Sequence, residues 1–221
     1  MREFKDDYVS KYGAVHYRVA DLLQYTKQYP NSYVALWELI NQFDQGYKPE
    51  YDSIYNLFSD TIKNTYTGIA LAQKISSARI AAVGREFPEY QLLNIANKTI
   101  AAPGPVSGKY TLVDFWYSHC APCISEFSTL KKLYTDSKSA GFNIIGISVD
   151  NQANKQNWIK TIHKYKLPWQ QYLDLGGTEA HKLGIGAFPS NFLLDSAGKI
   201  IAKNMSVNEL TAFLKEKQME K

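Results

Sequence analysis

The chain has 221 residues, of which 45% are apolar and 21% charged, and its net charge is +4. This balance is typical of a globular protein and excludes an intrinsically disordered chain. The 25 basic and 21 acidic residues are spread without a basic run, so nucleic acid is not an expected partner. The opening residues 1–13 lack the apolar segment of a signal peptide, and no stretch approaches the roughly 18 apolar residues of a transmembrane helix.

Residues 1–84 are predicted to form a helical N-terminal region. The stretch PNSYVALWELINQF begins with Asn31 or Ser32 as a candidate N-cap. A third helix, at residues 68–84, is predicted to end at Gly84. The apolar stripes of this region are interpreted as packing surfaces, with a partner-docking surface as the alternative. Between these helices, helical spacing over residues 49–66 predicts one continuous amphipathic helix, whose apolar positions are Tyr51, Ile54, Tyr55, Phe58, Ile62 and Tyr66.

Residues 85–221 are predicted to form a second domain in which strands and helices alternate. The alternation predicts an α/β fold with a central mixed sheet flanked by helices, and a final hairpin at an antiparallel edge. Helices are predicted from Cys120 to about Ala140 and over residues 151–166, 178–184 and 206–218. The predicted strands are YQLLNI, YTLVDFW, FNIIGISVD, WQQYLD, NFLLD and KIIAK, with the loop APGPVSGK between the first two.

Both cysteines lie in one stretch, TLVDFWYSHCAPCISEF, at residues 111–127. A thiol at a helix N-terminus is stabilised as a thiolate, so Cys120 is the candidate nucleophile. Cys123 lies one turn further and could resolve a mixed disulfide. A structural staple over so short a loop would constrain little of the unfolded chain, and a zinc clip would need about four ligands. The spacing therefore favours a redox pair, with no metal and no cofactor expected.

Three side chains could tune the acidity of this cysteine pair. Asp114 interrupts an apolar strand, and if its carboxyl is buried its pKa is raised, so that it can exchange a proton with Cys123. Glu126 lies one turn beyond Cys123 on the same helical face. His119 adjoins Cys120 and would favour its thiolate when charged. The structural alternatives are an acid paired with a lysine for Asp114, a solvated helix face for Glu126 and a histidine that points into water for His119.

These motifs resemble the thioredoxin superfamily, and most closely its TlpA/ResA-like thiol-disulfide oxidoreductases. GKYTLVDFWYSHCAPCISEF resembles the strand, Trp and CxPC helix of that group. GFNIIGISVD resembles its central strand, and LGIGAFPSNFLLDSAGKII its cis-proline loop and final hairpin. The resemblance covers about residues 85–219 and implies a thioredoxin-like fold.

The resemblance also implies roles for individual residues. Cys120 would be the attacking thiol and Cys123 the resolving one, with Asp114 and Glu126 on the positions of the group's acids. Pro189 would be a cis proline that faces the disulfide, beside which the backbone of Phe188 pairs with a substrate chain. Trp116 and His119 are counted with the substrate-binding positions. His119 replaces the usual Trp, and FPS replaces the commoner residues around the proline, so substrate choice departs from the family pattern.

The function predicted from these features is reduction of protein disulfides, with an upstream thiol as electron donor. One alternative is a peroxidase of the peroxiredoxin type, although Tyr117 stands where such enzymes place Thr or Ser. A second is a thioredoxin-fold binding module with no essential redox role. The helical region resembles the one that precedes the thioredoxin domain in Bacteroidetes envelope proteins. This resemblance implies a periplasmic or cell-envelope location and a chain that is a fragment of a longer protein.

Overall fold

The computed structural model describes residues 18–43, 47–102 and 108–219. The opening stretch, in which no signal peptide is predicted, and most of the predicted APGPVSGK loop lie outside these ranges. Up to Arg79 the described residues form one compact unit, and from Ile80 onward they form a second. The boundary predicted from the sequence lies five residues further along, at residues 84 and 85. Within the described ranges, no helix is both long and apolar enough to cross a membrane.

In its described part, the first unit consists of short helices. Ser32 caps one of them, since its Oγ accepts a hydrogen bond from the backbone N–H of Ala35 at 3.2 Å. The apolar faces of the helices meet in one buried cluster, which includes Leu22, Leu36, Leu39, Tyr51, Ile54 and Leu71. The helices are α1 (Val19–Gln28), α2 (Tyr33–Phe43), α3 (Glu50–Leu57), α4 (Asp60–Lys63) and α5 (Tyr66–Ile80).

The prediction of one continuous helix over residues 49–66 is wrong. Phe58 takes an extended backbone conformation with ψ 146°, and α4 begins after it. Ser59 caps this new helix because its Oγ accepts a hydrogen bond from the backbone N–H of Ile62. The predicted apolar positions up to Ile62 still pack in or against the buried cluster, whereas Tyr66, the last of them, is 90% exposed.

The prediction that the third helix ends at Gly84 is also wrong, because α5 ends at Ile80. Gly84 has a left-handed backbone with φ +88°, and its N–H donates a hydrogen bond to the carbonyl of Ile200 at 2.7 Å. The N–H of Ile200 donates in turn to the carbonyl of Arg85 at 2.8 Å. Residues 84 and 85 therefore run beside the last strand of the sheet instead of closing a helix.

The second unit is built on one mixed sheet, in which seven strands of the described residues take the order β2-β1-β5-β4-β3-β6-β7. β3 pairs in parallel with β4, and β4 with β5, while all the other pairs are antiparallel. The predicted hairpin is confirmed as β6 and β7 at one edge. The strands are β1 (Tyr90–Asn94), β2 (Thr99–Ala102), β3 (Tyr110–Trp116), β4 (Phe142–Ser148), β5 (Gln170–Leu173), β6 (Ser190–Asp195) and β7 (Ile200–Lys203).

Strand β2 is missing from the sequence prediction. It is only four residues long, and its residues Ala101 and Ala102 directly precede a Pro/Gly-rich stretch. It pairs with β1 and forms the second antiparallel edge strand of the sheet. A short strand of this kind is specified by its partner more than by its own residues.

Helices cover both faces of this sheet, and the alternation of β3 shows which face carries the cysteines. Leu112 and Trp116 belong to a buried cluster with residues of α6, α7 and α9, while Val113 and Phe115 belong to the cluster on the opposite face. Asp114 lies between Leu112 and Trp116 in the period-two pattern, so its side chain points to the face of α6. The helices are α6 (Ala121–Ser137), α7 (Lys155–Tyr165), α8 (Thr178–Lys182) and α9 (Val207–Met219).

Candidate active site

The two cysteines lie where β3 passes into α6. Cys120 is the N-cap of α6, with extended backbone angles of φ −78° and ψ 94°. It forms a disulfide with Cys123, and the Cα atoms of the pair are 5.3 Å apart. The backbone N–H of Cys123 donates a hydrogen bond to the Sγ of Cys120 at 3.2 Å. The sulfur of Cys120 therefore occupies the place of a capping oxygen, where an N–H and the helix dipole favour negative charge.

Both cysteines are buried. Cys120 is 1% exposed and Cys123 2% exposed in this disulfide-bonded state. The half-buried rings of Tyr117 and Phe188 pack against the buried cluster that contains the cysteines. These two rings meet edge to face, with centroids 5.5 Å apart.

Asp114 is a buried acid on the same face of β3 as the cysteine cluster, and only 4% of it is exposed. Burial raises the pKa of its carboxyl to about 8, with a second contribution from the charge of Glu126. No ion pair between Asp114 and a lysine or arginine is present among the described residues. The lysine-paired alternative for this acid therefore has no support in the structure.

Glu126 lies on α6, one turn after Cys123, and is half-buried. Partial burial raises the pKa of its carboxyl. Its electrostatic effect on Asp114 means that the two acids are close enough to influence each other's ionisation. Glu126 is thus not on a fully solvated helix face.

Pro189 lies next to the carboxyl end of β3. The peptide bond between Phe188 and Pro189 is cis, as the family resemblance implies. In the antiparallel register of β3 and β6, Phe115 pairs with Ser190, which brings Pro189 beside the end of β3. The loop that leads from β3 to the disulfide starts at this same end of the strand.

Trp116 is placed differently from the other predicted substrate-binding positions, because it is fully buried. Its ring packs edge to face on Phe127 of α6 with centroids 5.2 Å apart, and its Nε1–H donates to Oε1 of Gln171 at 3.2 Å. Gly146 leaves the space for the Gln171 side chain, since a Cβ there would lie 2.3 Å from Oε1. Trp116 therefore lies in the core beneath the cysteine loop, where it has no exposed surface to offer a substrate.

His119 is exposed and directly precedes Cys120. Its ring contacts Ser118, which is hydrogen-bonded to the buried carboxylate of Asp150. Neither Ser118 nor Asp150 is predicted as a site residue from the sequence. A signal does exist: each of them lies two residues past the end of one of two neighbouring parallel strands, and the carboxyl ends of such strands lie side by side.

The described residues contain no group of three or more His, Cys, Asp or Glu side chains arranged to hold a metal ion. The cysteine pair instead makes a covalent bond within itself. The chemistry that this arrangement can perform is the making and breaking of that bond.

Comparison with known proteins agrees with this arrangement. The model of the AhpC/TSA family matches residues 83–203, which is more than half of the chain. The chain belongs to the AhpC/TSA family. The matched AhpC/TSA residues include all of β1 to β7 and both cysteines.

Relatives of this AhpC/TSA chain are named as thiol-disulfide oxidoreductases. The chain is 28% identical over 122 residues to thiol-disulfide oxidoreductase ResA of Bacillus cereus, which covers 55% of this chain and 68% of the relative. It is 30% identical to the thioredoxin domain of a thiol-disulfide oxidoreductase from Bacteroides vulgatus, with a TM-score of 0.54, over 61% of this chain and 96% of that structure. A thiol-disulfide oxidoreductase from Bacteroides fragilis is 31% identical, with a TM-score of 0.53, over 60% and 98%. These structures confirm the predicted thioredoxin-like fold.

Proposed function

We propose that this chain is a thiol-disulfide oxidoreductase that reduces protein disulfides. The observation that carries the proposal is the position of Cys120 at the N-cap of α6, with the N–H of Cys123 directed at its sulfur. In the reduced protein the same N–H and the helix dipole would stabilise the thiolate of Cys120. The thiolate is the species that attacks a disulfide.

In the first step the thiolate of Cys120 attacks one sulfur of the substrate disulfide. The substrate S–S bond breaks, and its second sulfur leaves with the bonding electron pair. A mixed disulfide now joins Cys120 to the substrate. The second step is attack by Cys123, which forms the Cys120–Cys123 disulfide and releases the reduced substrate.

The acids Asp114 and Glu126 would manage the proton of Cys123. A free thiol has a pKa of about 8.5, and the carboxyl of Asp114 has a pKa of about 8, so transfer of the proton between them is nearly balanced. Asp114 takes the proton as Cys123 becomes the nucleophile. Glu126 contributes by raising the pKa of Asp114 towards that of the thiol. After the reaction Asp114 is left protonated beside the new disulfide.

Reduction of substrates also requires a source of electrons. An upstream thiol would attack the Cys120–Cys123 disulfide and restore the dithiol. Whether the protein acts as a reductant depends on its reduction potential against that of its compartment, where about 30 mV corresponds to 1.4 kcal/mol for a two-electron couple. Titration of the pair against a dithiol buffer measures this potential directly. A potential near those of strong protein oxidants would contradict the reducing direction.

We assign the reaction to residues 85–221 and the contact with substrate to the surface around the disulfide. The register of β3 and β6 brings Pro189 beside the end of β3, which supports the role that the family resemblance implies for Phe188, whose backbone would pair with an extended substrate segment. His119 is exposed and lies in the loop between β3 and α6. The helical region, residues 1–84, is assigned no part in the chemistry.

Trapping tests the proposal most sharply. A Cys123→Ser variant keeps the attacking thiol and lacks the resolving one, so it should accumulate a mixed disulfide between Cys120 and its substrate proteins. These adducts should disappear on reduction and be absent from the matched variant Cys120→Ser. Equal adducts at Cys123 in the Cys120→Ser variant would contradict the assigned order of the two thiols.

Two further assays separate the proposed function from its alternatives. A peroxidase would turn over hydrogen peroxide with its reduced cysteines, whereas a thiol-disulfide oxidoreductase should reduce a protein disulfide much faster than peroxide. A binding module would keep its full cellular function in the Cys120→Ser variant. Loss of function in that variant, together with disulfide reduction by the wild type, is the expected result.

We also propose a periplasmic or cell-envelope location, on the resemblance of the N-terminal helices to those of Bacteroidetes envelope proteins. A thiol reagent that does not cross the cytoplasmic membrane should label the reduced cysteines in intact cells. Protection of the cysteines until the cells are lysed would contradict this location.

A further inference from the structure

A buried carboxylate lies behind the loop that carries the attacking cysteine. Asp150 follows β4 and is 3% exposed. Its Oδ2 accepts hydrogen bonds from the backbone N–H of Ser118 at 2.8 Å and from the Oγ–H of Ser148 at 2.7 Å, and its Oδ1 accepts one from the Oγ–H of Ser118 at 2.7 Å. Three hydrogen-bond donors directed at one carboxyl group stabilise its ionised form. The reaction steps described above do not use this group.

The hydrogen bonds of Ser118 determine which nitrogen of His119 carries a proton. A serine hydroxyl has one hydrogen, and the carboxylate of Asp150 can only accept, so that hydrogen is donated to Asp150. The Oγ of Ser118 also lies 3.1 Å from Nδ1 of His119. With its hydrogen already donated, Oγ can only accept here. Nδ1 of His119 must therefore carry a hydrogen.

This arrangement leaves Nε2 of His119 as the nitrogen that is able to react. His119 is exposed, and the described residues provide no hydrogen-bond partner for Nε2. Because His119 directly precedes Cys120, its ring lies on the loop at which a substrate disulfide must arrive. In a neutral ring Nε2 accepts a proton, and in a charged ring it donates one, while Nδ1–H stays on Ser118 in both states.

We propose that Asp150 and Ser118 are positioning residues that hold His119 in its Nδ1–H form, so that Nε2 gives a proton to the departing sulfur of the substrate. This inference rests on the proposed disulfide reduction and assigns a further catalytic residue to it. Asp150 acts only through Ser118, and His119 is the group that would touch the reacting sulfur.

The step balances as a proton transfer coupled to disulfide exchange. The thiolate of Cys120 forms a new S–S bond with one substrate sulfur, and the substrate bond breaks with its electron pair on the second sulfur. The charged ring of His119 donates its Nε2 proton to that second sulfur, which leaves as a thiol. His119 becomes neutral with its hydrogen on Nδ1, the form that Ser118 stabilises. This step concerns the substrate's proton and leaves the proton of Cys123 to Asp114 and Glu126.

The test compares two disulfides that differ in the basicity of the leaving sulfur. Dithiobis(nitrobenzoate) releases a weakly basic thiolate that needs no proton, whereas dithiodipropionate releases a basic alkyl thiolate, and both carry one carboxylate on each half. Rates are measured at one pH with the reduced full chain. His119→Ala should slow dithiodipropionate reduction at least about tenfold, with little change for the aromatic disulfide. The matched control is His163→Ala, which removes an exposed histidine of α7 and should leave both rates unchanged.

The outcomes separate this inference from the function on which it rests. If the wild type reduces neither disulfide, the proposed function fails. If the wild type reduces both and His119→Ala slows them equally, or slows neither, disulfide reduction stands and the role of His119 is refuted. An equal slowing of both would indicate an effect on Cys120 itself.

The positioning role has a separate spectroscopic test. Nuclear magnetic resonance of the imidazole nitrogens should show neutral His119 protonated at Nδ1 in the wild type. Ser118→Ala removes the hydroxyl but keeps the backbone N–H that binds Asp150, so the loop remains anchored. In this variant neutral His119 should change to the Nε2–H form that free histidine prefers, and dithiodipropionate reduction should slow several-fold. A wild-type His119 that is already protonated at Nε2 when neutral would overturn the inference.

Discussion

Replacement of Asp114 by Asn should make the oxidised protein more stable at alkaline pH and alter the pH dependence of its folding. Asp114 has a folded-state pKa of about 8, against 3.8 for an unperturbed aspartate, and burial is the main cause. Between these two pH values the folded protein holds a proton on Asp114 that the unfolded chain has lost. The contribution of Asp114 to stability therefore falls as pH rises through this window, and this contribution is fully present only below about pH 4.

The size of the effect follows from the displacement of the pKa. One pKa unit corresponds to about 1.4 kcal/mol, so a rise from 3.8 to about 8 corresponds to about 6 kcal/mol lost by pH 8. The Asn side chain has nearly the same shape and does not ionise. The difference in unfolding free energy between Asp114→Asn and the wild type should therefore change in favour of the variant by about 1.4 kcal/mol per pH unit from pH 4 to pH 8.

Urea unfolding of the oxidised protein between pH 4 and 9 measures this difference. A Trp37→Phe background confines tryptophan fluorescence to the second unit, because the remaining tryptophans are Trp116, Trp158 and Trp169. The matched control is Asp136→Asn, which removes a carboxylate that is 55% exposed on α6. Its stability should follow the wild type at every pH. If Asp114→Asn also runs parallel to the wild type within about 1 kcal/mol, the carboxyl is not buried as described and the proton role assigned to it fails.

Further substitutions test the electrostatics and the core packing around the disulfide. Glu126→Gln should lower the pH at which Asp114 titrates, because the charge of Glu126 raises the pKa of Asp114; an unchanged titration, followed by NMR of the carboxyl carbon, would show that the two are uncoupled. Gly146→Ala should cost about 1–3 kcal/mol in urea unfolding, since its Cβ would lie 2.3 Å from the Gln171 side chain, and a neutral result would contradict that packing. Phe127→Ala empties a fully buried position and should cost about 3–5 kcal/mol, whereas a loss below about 1 kcal/mol is incompatible with this core.

The elements near the cysteines could be predicted because their signals are local. Strand β3 occupies the predicted residues 110–116, and α6 begins at Ala121, directly after the predicted Cys120, which is its N-cap. An apolar run followed by a loop, a capping position and a proline in the first turn specifies this order within a few residues. The same local signals also explain one error. Ser59 and Asp60 form an N-cap and an acidic first turn, and these outweigh the apolar spacing that predicts a single helix over residues 49–66.

Elements whose state depends on distant partners were harder to predict. β2 is specified by its antiparallel pairing with β1. The residues after α5 hydrogen-bond beside β7, more than 100 positions further along the chain, so they do not continue the helix to Gly84. In both cases the backbone finds its hydrogen-bond partners through tertiary structure, which sequence periodicity does not encode.

By itself, the sequence determined the α/β order of the second unit, the position of Cys120 at a helix start and Cys123 one turn beyond. These features depend on capping, helix dipole and spacing, which act between neighbouring residues. Only the tertiary structure decided that Asp114 is buried with a pKa of about 8, that Trp116 lies beneath the site, and that Asp150 binds Ser118 across 32 positions of the chain. Burial and long-range hydrogen bonds depend on which elements pack together, and no local pattern specifies that.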